Sequence, residues 1–204
     1  HHFDAPERGF SFRFDAPLDM RMGQGIKRTA ADIVNNSSEK ELLRIFQEYG
    51  EIHHASRLVN AIVKLREENR ISTTFELRDV VMGVVTQKEQ NKMLAQVFQA
   101  LRIEVNGEMD ALKDMLMHSV KVLRPGGRLS IISYHSLEDR MVKNLVRSGD
   151  VSKGNPEQDI YGHSIVPFTA INRKVIVPTD AEIAINSRAR SAKLRIAERT
   201  HMEL

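Results

Sequence analysis

Between Pro125 and Arg140 the chain reads PGGRLSIISYHSLEDR, and that run limits the possible folds more than any other. Pro125-Gly126-Gly127 stops a helix. Leu129 to Tyr134, dense in Leu and Ile, reads as a buried strand. His135, Ser136, Glu138, Asp139 and Arg140 follow at once. Ser136 with Asp139 three residues later matches a capping box and opens the next helix. Capping accounts for those two side chains but not for His135, Glu138 and Arg140. In an open α/β sheet, ligands gather at the carboxyl ends of strands. The expected fold class is therefore α/β, with a candidate site at this strand end.

The flanking segments fit that expectation. Phe98, Leu101, Val105, Met109, Leu112 and Leu116 recur at helical spacing and predict one long helix over 98–122. Gln99, Arg102 and Asn106 form a polar stripe beside that face, which reads most simply as a solvated flank and otherwise as the edge of a cleft. Residues 149–162 read as a polar loop and 174–177 as a short strand. Thr179 with Glu182 starts a brief helix. Lys193 to Arg199 alternates, which predicts a final strand with Leu194 and Ile196 inward. Helix, turn, strand, helix, loop and strand is how a doubly wound sheet ends.

Residues 29–97 have another character. Thr29 with Asp32, Ser38 with Glu41 and Thr73 with Glu76 repeat the capping-box spacing. Each pair precedes apolar residues at helical spacing, so this stretch is expected to be all helix, a bundle of three or four short elements. No helix here gathers basic residues on one face, which ranks a helix-turn-helix DNA reader low. Residues 1–28 differ again: Phe10, Phe12 and Phe14 alternate, as in a short extended segment, and Gly23-Gln24-Gly25 breaks the chain.

Composition removes several chemistries. A chain of 204 residues is long enough for one or two domains. With no cysteine there is no disulfide, thiolate metal site or cysteine nucleophile, which suits a reducing cytoplasm. No apolar run reaches the length of a membrane span, and no signal peptide is visible. His53 and His54 are adjacent, while His118, His135 and His163 are scattered, so no metal is expected. His135, Ser136 and Asp139 suggest a hydrolase triad, but no G-x-S-x-G elbow surrounds them. Neither a P-loop nor a G-x-G-x-x-G is present. Net charge is only +3, yet Arg188, Arg190, Lys193, Arg195 and Arg199 crowd one segment with a single acid, Glu198. Such a stripe is the usual footprint of a phosphate backbone, although a charge run alone reads more simply as a solvated face.

Four stretches, RGFSFRFDAPLDMRM (8–22), FQALRIEVN (98–106), GGRLSIISYHSLEDR (126–140) and NSRARSAKLR (186–195), together resemble the bacterial small-subunit ribosomal RNA cytosine-N(4)-methyltransferases, which depend on S-adenosylmethionine. Order and spacing match as well, over essentially the whole chain. The resemblance implies a class I methyltransferase, a Rossmann-like sheet that is incomplete here, carrying an inserted all-helical domain. Residues 1–28 and 98–204 would be the methyltransferase core and 29–97 the substrate-docking insert. It implies S-adenosylmethionine as cofactor, small-subunit ribosomal RNA as partner, a cytoplasmic location, no membrane, and a homodimer as a candidate assembly. In that family the glycine-rich cofactor loop lies upstream of the first motif. The chain opens at His1-His2-Phe3 without methionine, so it is expected to be the later part of a longer protein.

The resemblance also proposes roles. His2 stands where family members usually carry a cofactor-contacting glutamine and is the cofactor-binding candidate. Gly23 stands where the family usually has aspartate after DMRM, so it receives no role. The amine of cytosine is a poor nucleophile because its lone pair is delocalised into the ring, so an acceptor must hold its protons. Asp19 and Arg21 are the first candidate catalytic pair, and His135, Ser136, Glu138 and Asp139 the second group. Arg102, Asn106, Arg188, Arg190 and Lys193 are the candidates for contact with RNA. The competing expectation is a non-catalytic fragment that binds RNA or the ribosome.

Overall fold

Capping chemistry starts the upstream helices where the spacing predicts. The computed structural model describes residues 5–156, 161, 166–172 and 174–201. Helices α1 (Ala30–Asn36) and α4 (Thr74–Val84) each open on a reciprocal box, Thr29 with Asp32 and Thr73 with Glu76. Helix α2 (Glu39–Glu48) is capped in one direction: Ser38 accepts from the N–H of Glu41, while the Glu41 carboxylate lies 3.5 Å from Arg28. Helix α3 (Ser56–Glu68) starts without a side-chain cap. With α5 (Gln90–Asn106) these helices make up the first compact unit, His1–Glu108.

Its core is built from Leu42, Ile45 and Phe46 of α2, Leu58 and Ile62 of α3, Leu77 and Val81 of α4, and Val97, Phe98 and Leu101 of α5. Residues 8–22 join that core rather than forming a strand. Phe10, Leu18 and Met20 are buried in it, and Phe12 packs edge-to-face on Phe98 with ring centroids 5.4 Å apart. The expected extended segment of alternating phenylalanines is interrupted by a turn at Phe12 and Arg13, which leaves Phe14 exposed.

The single long helix expected over 98–122 is two helices. Helix α5 ends at Gly107, whose φ of 60° is left-handed, and α6 (Glu108–Val122) begins immediately after. A left-handed residue ends a helix, and glycine adopts it without a Cβ penalty. Continuous apolar spacing hid the break.

The second compact unit is Met109–Leu204. Strands β1 (Arg128–Ser133), β2 (Phe168–Ala170) and β3 (Lys193–Arg199) form a sheet in the order β1-β3-β2, with β3 antiparallel to both neighbours. Helix α7 (Ser136–Ser148) follows β1, and a short α8 (Asp180–Ile185) precedes β3. Leu116 and Val120 of α6, Val142 and Leu145 of α7, Phe168 and Ala197 form the core, with Leu129 and Ile131 packed against it. The expected strand at 174–177 is only an isolated bridge from Ile176 to Leu194, and β2 lies earlier than the sequence suggested.

Two further expectations are corrected here. Strand β1 is not buried on both sides: it lies at one end of the strand order, and Ile132 on its outer face is 57% exposed. On β3 the packed face is the opposite of the one expected. Leu194 and Ile196 pair with Ile132 and Ser130, whereas Ala197 and Arg199 are buried. Arg199 tolerates burial because its guanidinium donates to the carbonyls of Val120 (3.0 Å), Pro167 (3.3 Å) and Thr200 (2.9 Å). Arg199→Met is therefore expected to destabilise the chain by about 1–3 kcal/mol for each carbonyl left without a donor, read as a lower urea midpoint.

Candidate functional site

The first cluster is built on the turn at 17–22. The N–H of Asp19 donates to the carbonyl of Pro17 at 2.9 Å and bends the chain sharply around Leu18. Met20 then takes φ +63°, a left-handed conformation unusual for a non-glycine residue. Such a conformation costs of order 1–3 kcal/mol and persists where the surroundings over-determine it. The surroundings do so here. Met20 is fully buried, its N–H donates to the Arg8 carbonyl at 3.0 Å, and its carbonyl accepts from Asn106 Nδ2 at 2.9 Å. Gly9, with φ +75°, lets the two segments approach: a Cβ there would lie 2.3 Å from the Pro17 oxygen.

On that turn Asp19 and Arg21 form a fork. Arg21 donates from Nε to Oδ1 at 2.8 Å and from Nη2 to Oδ2 at 2.7 Å, and its backbone N–H reaches Oδ1 at 3.0 Å. These hydrogen bonds hold the Asp19 carboxyl below its ordinary value, against a smaller opposing effect of burial. Both side chains line a cavity of about 670 Å³ together with Glu7, Arg8, Met22 and Gln24. Neither Glu7 nor Arg8 was expected at a site from the sequence.

Asn106 and Arg102, expected to meet RNA, spend polar atoms on the protein. Asn106 Oδ1 accepts from the N–H of Met22 at 2.7 Å, and Nδ2 donates to the carbonyls of Met20 and Arg102. Arg102 grips Glu108 with two bonds of 2.8 and 3.0 Å.

The second cluster stands at the carboxyl end of β1, in the other unit. The capping box expected from Ser136 and Asp139 lies one residue earlier. His135 is the N-cap: its Nδ1 accepts from the N–H of Glu138 at 3.4 Å. In return Glu138 Oε2 accepts from the backbone N–H groups of Tyr134 (2.8 Å) and His135 (3.3 Å). An imidazole nitrogen thus replaces the usual hydroxyl. His135 Nε2 is buried 3.3 Å from Glu138 Oε1 but is not aligned for a hydrogen bond, and it has no hydrogen-bond partner among the described residues. Burial works to raise the Glu138 carboxyl, but His135 beside it and the Tyr134 N–H hold it below its ordinary value.

Asp139 is not the capping partner because β3 claims it. Arg195 donates to it from Nε at 2.7 Å and from Nη2 at 3.1 Å, and Lys193 Nζ lies 3.6 Å away. Burial pushes the Asp139 carboxyl up, and these two cations hold it down. Arg195 is the residue that reading by motif left out of the site. Arg188 and Arg190 are exposed on a turn of 3-10 helix, Ser187–Ser191, anchored by buried Ala189. His2 lies outside the described residues.

Both clusters lie within residues 1–200, which the model of the MraW methylase family matches. The chain belongs to that family. Among its curated relatives are proteins named ribosomal RNA small subunit methyltransferase H. Those from Flavobacterium johnsoniae and Bacteroides thetaiotaomicron are each 54% identical over 98% of this chain and 65% of their own length. The relative from Cytophaga hutchinsonii is 54% identical over 98% of this chain and 66% of its length. The chain thus spans about 65% of the length of the curated relatives it matches.

Two outcomes follow. Gly9→Ala is expected to destabilise the chain by more than the roughly 1–3 kcal/mol of a strained backbone, because the Cβ clash adds to it, again read by urea unfolding. The second concerns acid. A carboxyl whose folded value is depressed contributes stability that is complete above its ordinary value, 3.8 for Asp139, and fades as pH falls through the folded value. Asp139→Asn should therefore be less stable than the parent at neutral pH. That gap should close in unfolding titrations carried below pH 3.8.

Proposed function

We propose that this chain serves the S-adenosylmethionine-dependent methylation of the exocyclic N(4) amine of a cytidine in small-subunit ribosomal RNA. The observation that carries the reading is the Asp19 carboxylate at the wall of a cavity roomy enough for a nucleobase. An ionised carboxylate has about four acceptor positions. Arg21 occupies two at Oδ1 and one at Oδ2, which leaves a position on Oδ2 for an amine N–H. Asp19 would hold the amine and draw its lone pair out of conjugation with the ring. Its depressed carboxyl keeps it an acceptor at neutral pH. Positioning of this kind supplies about 7–11 kcal/mol when reactants are well aligned.

The names of the relatives support small-subunit ribosomal RNA as the substrate. Exposed Arg188 and Arg190 are our candidates for phosphate contacts, and residues 29–97 for docking the ribosomal substrate. A reversed strand between two strands of the same sense suits the edge of a mixed doubly wound sheet and supports the class I reading. S-adenosylmethionine supplies an electrophilic methyl when bound. Among the described residues no glycine-rich turn joins a strand to a helix, and the β1–α7 connection is Tyr134-His135. The roles assigned here therefore concern the acceptor base alone.

The test is nucleoside mass spectrometry on undermethylated small ribosomal subunits incubated with S-adenosylmethionine. This chain and a version extended at its N-terminus are assayed in parallel. N(4)-methylcytidine is expected with the extended protein and should fall at least about 100-fold in Asp19→Ala. Near-normal turnover in a folded Asp19→Ala variant removes Asp19 from the mechanism. No product from either version, with both folded, replaces the reading with an RNA-binding one.

A further inference from the structure

The fork between Asp19 and Arg21 is local: the two residues are two apart and move together with their turn. Their pairing cannot fix where the carboxylate stands at the cavity wall. The turn also contains a non-glycine residue at φ +63°, and releasing its backbone would let Met20 relax to an ordinary conformation and rotate the flanking peptide planes. What opposes this on the side of Arg21 comes from far along the chain. Asn106 accepts from the N–H of Met22 at 2.7 Å and donates to the carbonyl of Met20 at 2.9 Å, so one amide spans Arg21 on both sides. A third bond, Nδ2 to the Arg102 carbonyl at 2.8 Å, orients that amide, and the Arg102–Glu108 fork ties down the end of α5 that carries it.

We infer that Asn106 is a positioning residue that acts through Asp19, holding the left-handed turn so that the carboxylate stays at the cavity wall. The inference rests on the acceptor role proposed for Asp19. It requires an amide: both hydrogens of Nδ2 are used, and an acceptor is needed beside them. A carboxylate at 106 would face the Met20 carbonyl with no hydrogen to give. A read-out of the base by Asn106 itself is a different role, because it would act independently of Asp19.

The test is a double-mutant cycle on the N-terminally extended protein, with undermethylated small ribosomal subunits and S-adenosylmethionine. Asn106→Ala is expected to lower kcat about 100-fold, the scale of an ångström of misplacement, with KM for S-adenosylmethionine unchanged. Combined with Asp19→Ala it should cost nothing further, since a residue that acts only through Asp19 has nothing left to lose. Losses that multiply in the double variant would overturn the positioning role and leave the role of Asp19 standing. Full turnover in Asp19→Ala, or no product from the parent, overturns the functional reading and this inference together. Should Asn106→Ala not fold, the same cycle is run with near-isosteric Asn106→Asp, which keeps the acceptor for the Met22 N–H. Full turnover in a folded Asn106 variant also sinks the inference.

Discussion

Much of the polar backbone of residues 17–22 is satisfied by partners outside the turn, and the first unit is organised around that demand. Leu18 donates to the Ser72 carbonyl at 2.9 Å, Met20 to that of Arg8, and Met22 to Asn106. The carbonyls of Leu18 and Asp19 accept from Ala31 and Ala30, both at 2.8 Å. Buried amide groups left unpaired would each cost about 1–3 kcal/mol. The turn therefore exists only when the α1 start, the α4 approach and the α5 end are all in place. Local strain at Met20 is kept by long-range order, and that order puts the Asp19 carboxylate on rigid elements.

In the second unit the corresponding demand is made by charge. Arg199 is buried on β3 and reaches three carbonyls, while Arg195 and Lys193 on the same face reach Asp139 on α7. A strand face usually buries its apolar residues. Here basic side chains take that face because their donors find acceptors on it, and Leu194 and Ile196 turn to the other side beside Ile132. The helix that carries His135 and Glu138 is thus fastened to the sheet by an ion pair as well as by Val142 and Leu145.

What was legible in the sequence follows from how far each signal reaches along the chain. Capping boxes span three residues, so Thr29, Ser38 and Thr73 marked their helices correctly. The Asp19–Arg21 fork spans two and could be read as a unit. Gly107 was passed over because apolar spacing ran on through it, and a left-handed glycine leaves no mark on that periodicity. The box at α7 lies one residue before the Ser136 hydroxyl because an imidazole, not a hydroxyl, caps the helix. Asn106 looked like a solvated flank or an RNA contact, since its partners lie 84 and 86 residues away. Arg195 was hidden in a run of like charge, its partner Asp139 being 56 residues distant.

That last case bears on how a basic stripe should be weighed. Five cations crowd residues 188–199, and counted together they describe a strong electrostatic footprint. Geometry divides them: Arg195 and Arg199 are turned to acceptors of the protein, and Lys193 lies 3.6 Å from Asp139. Arg188 and Arg190 are the two exposed on the turn before β3. Salt sensitivity of binding scales with phosphates neutralised, at a slope of roughly −0.7 per contact for single strands. On the phosphate role proposed for Arg188 and Arg190, this segment would contribute a slope of about −1.4 instead of the roughly −3.5 that a count of charges implies. Most of the positive charge here holds α7, the end of α6 and the residue before β2 onto the sheet.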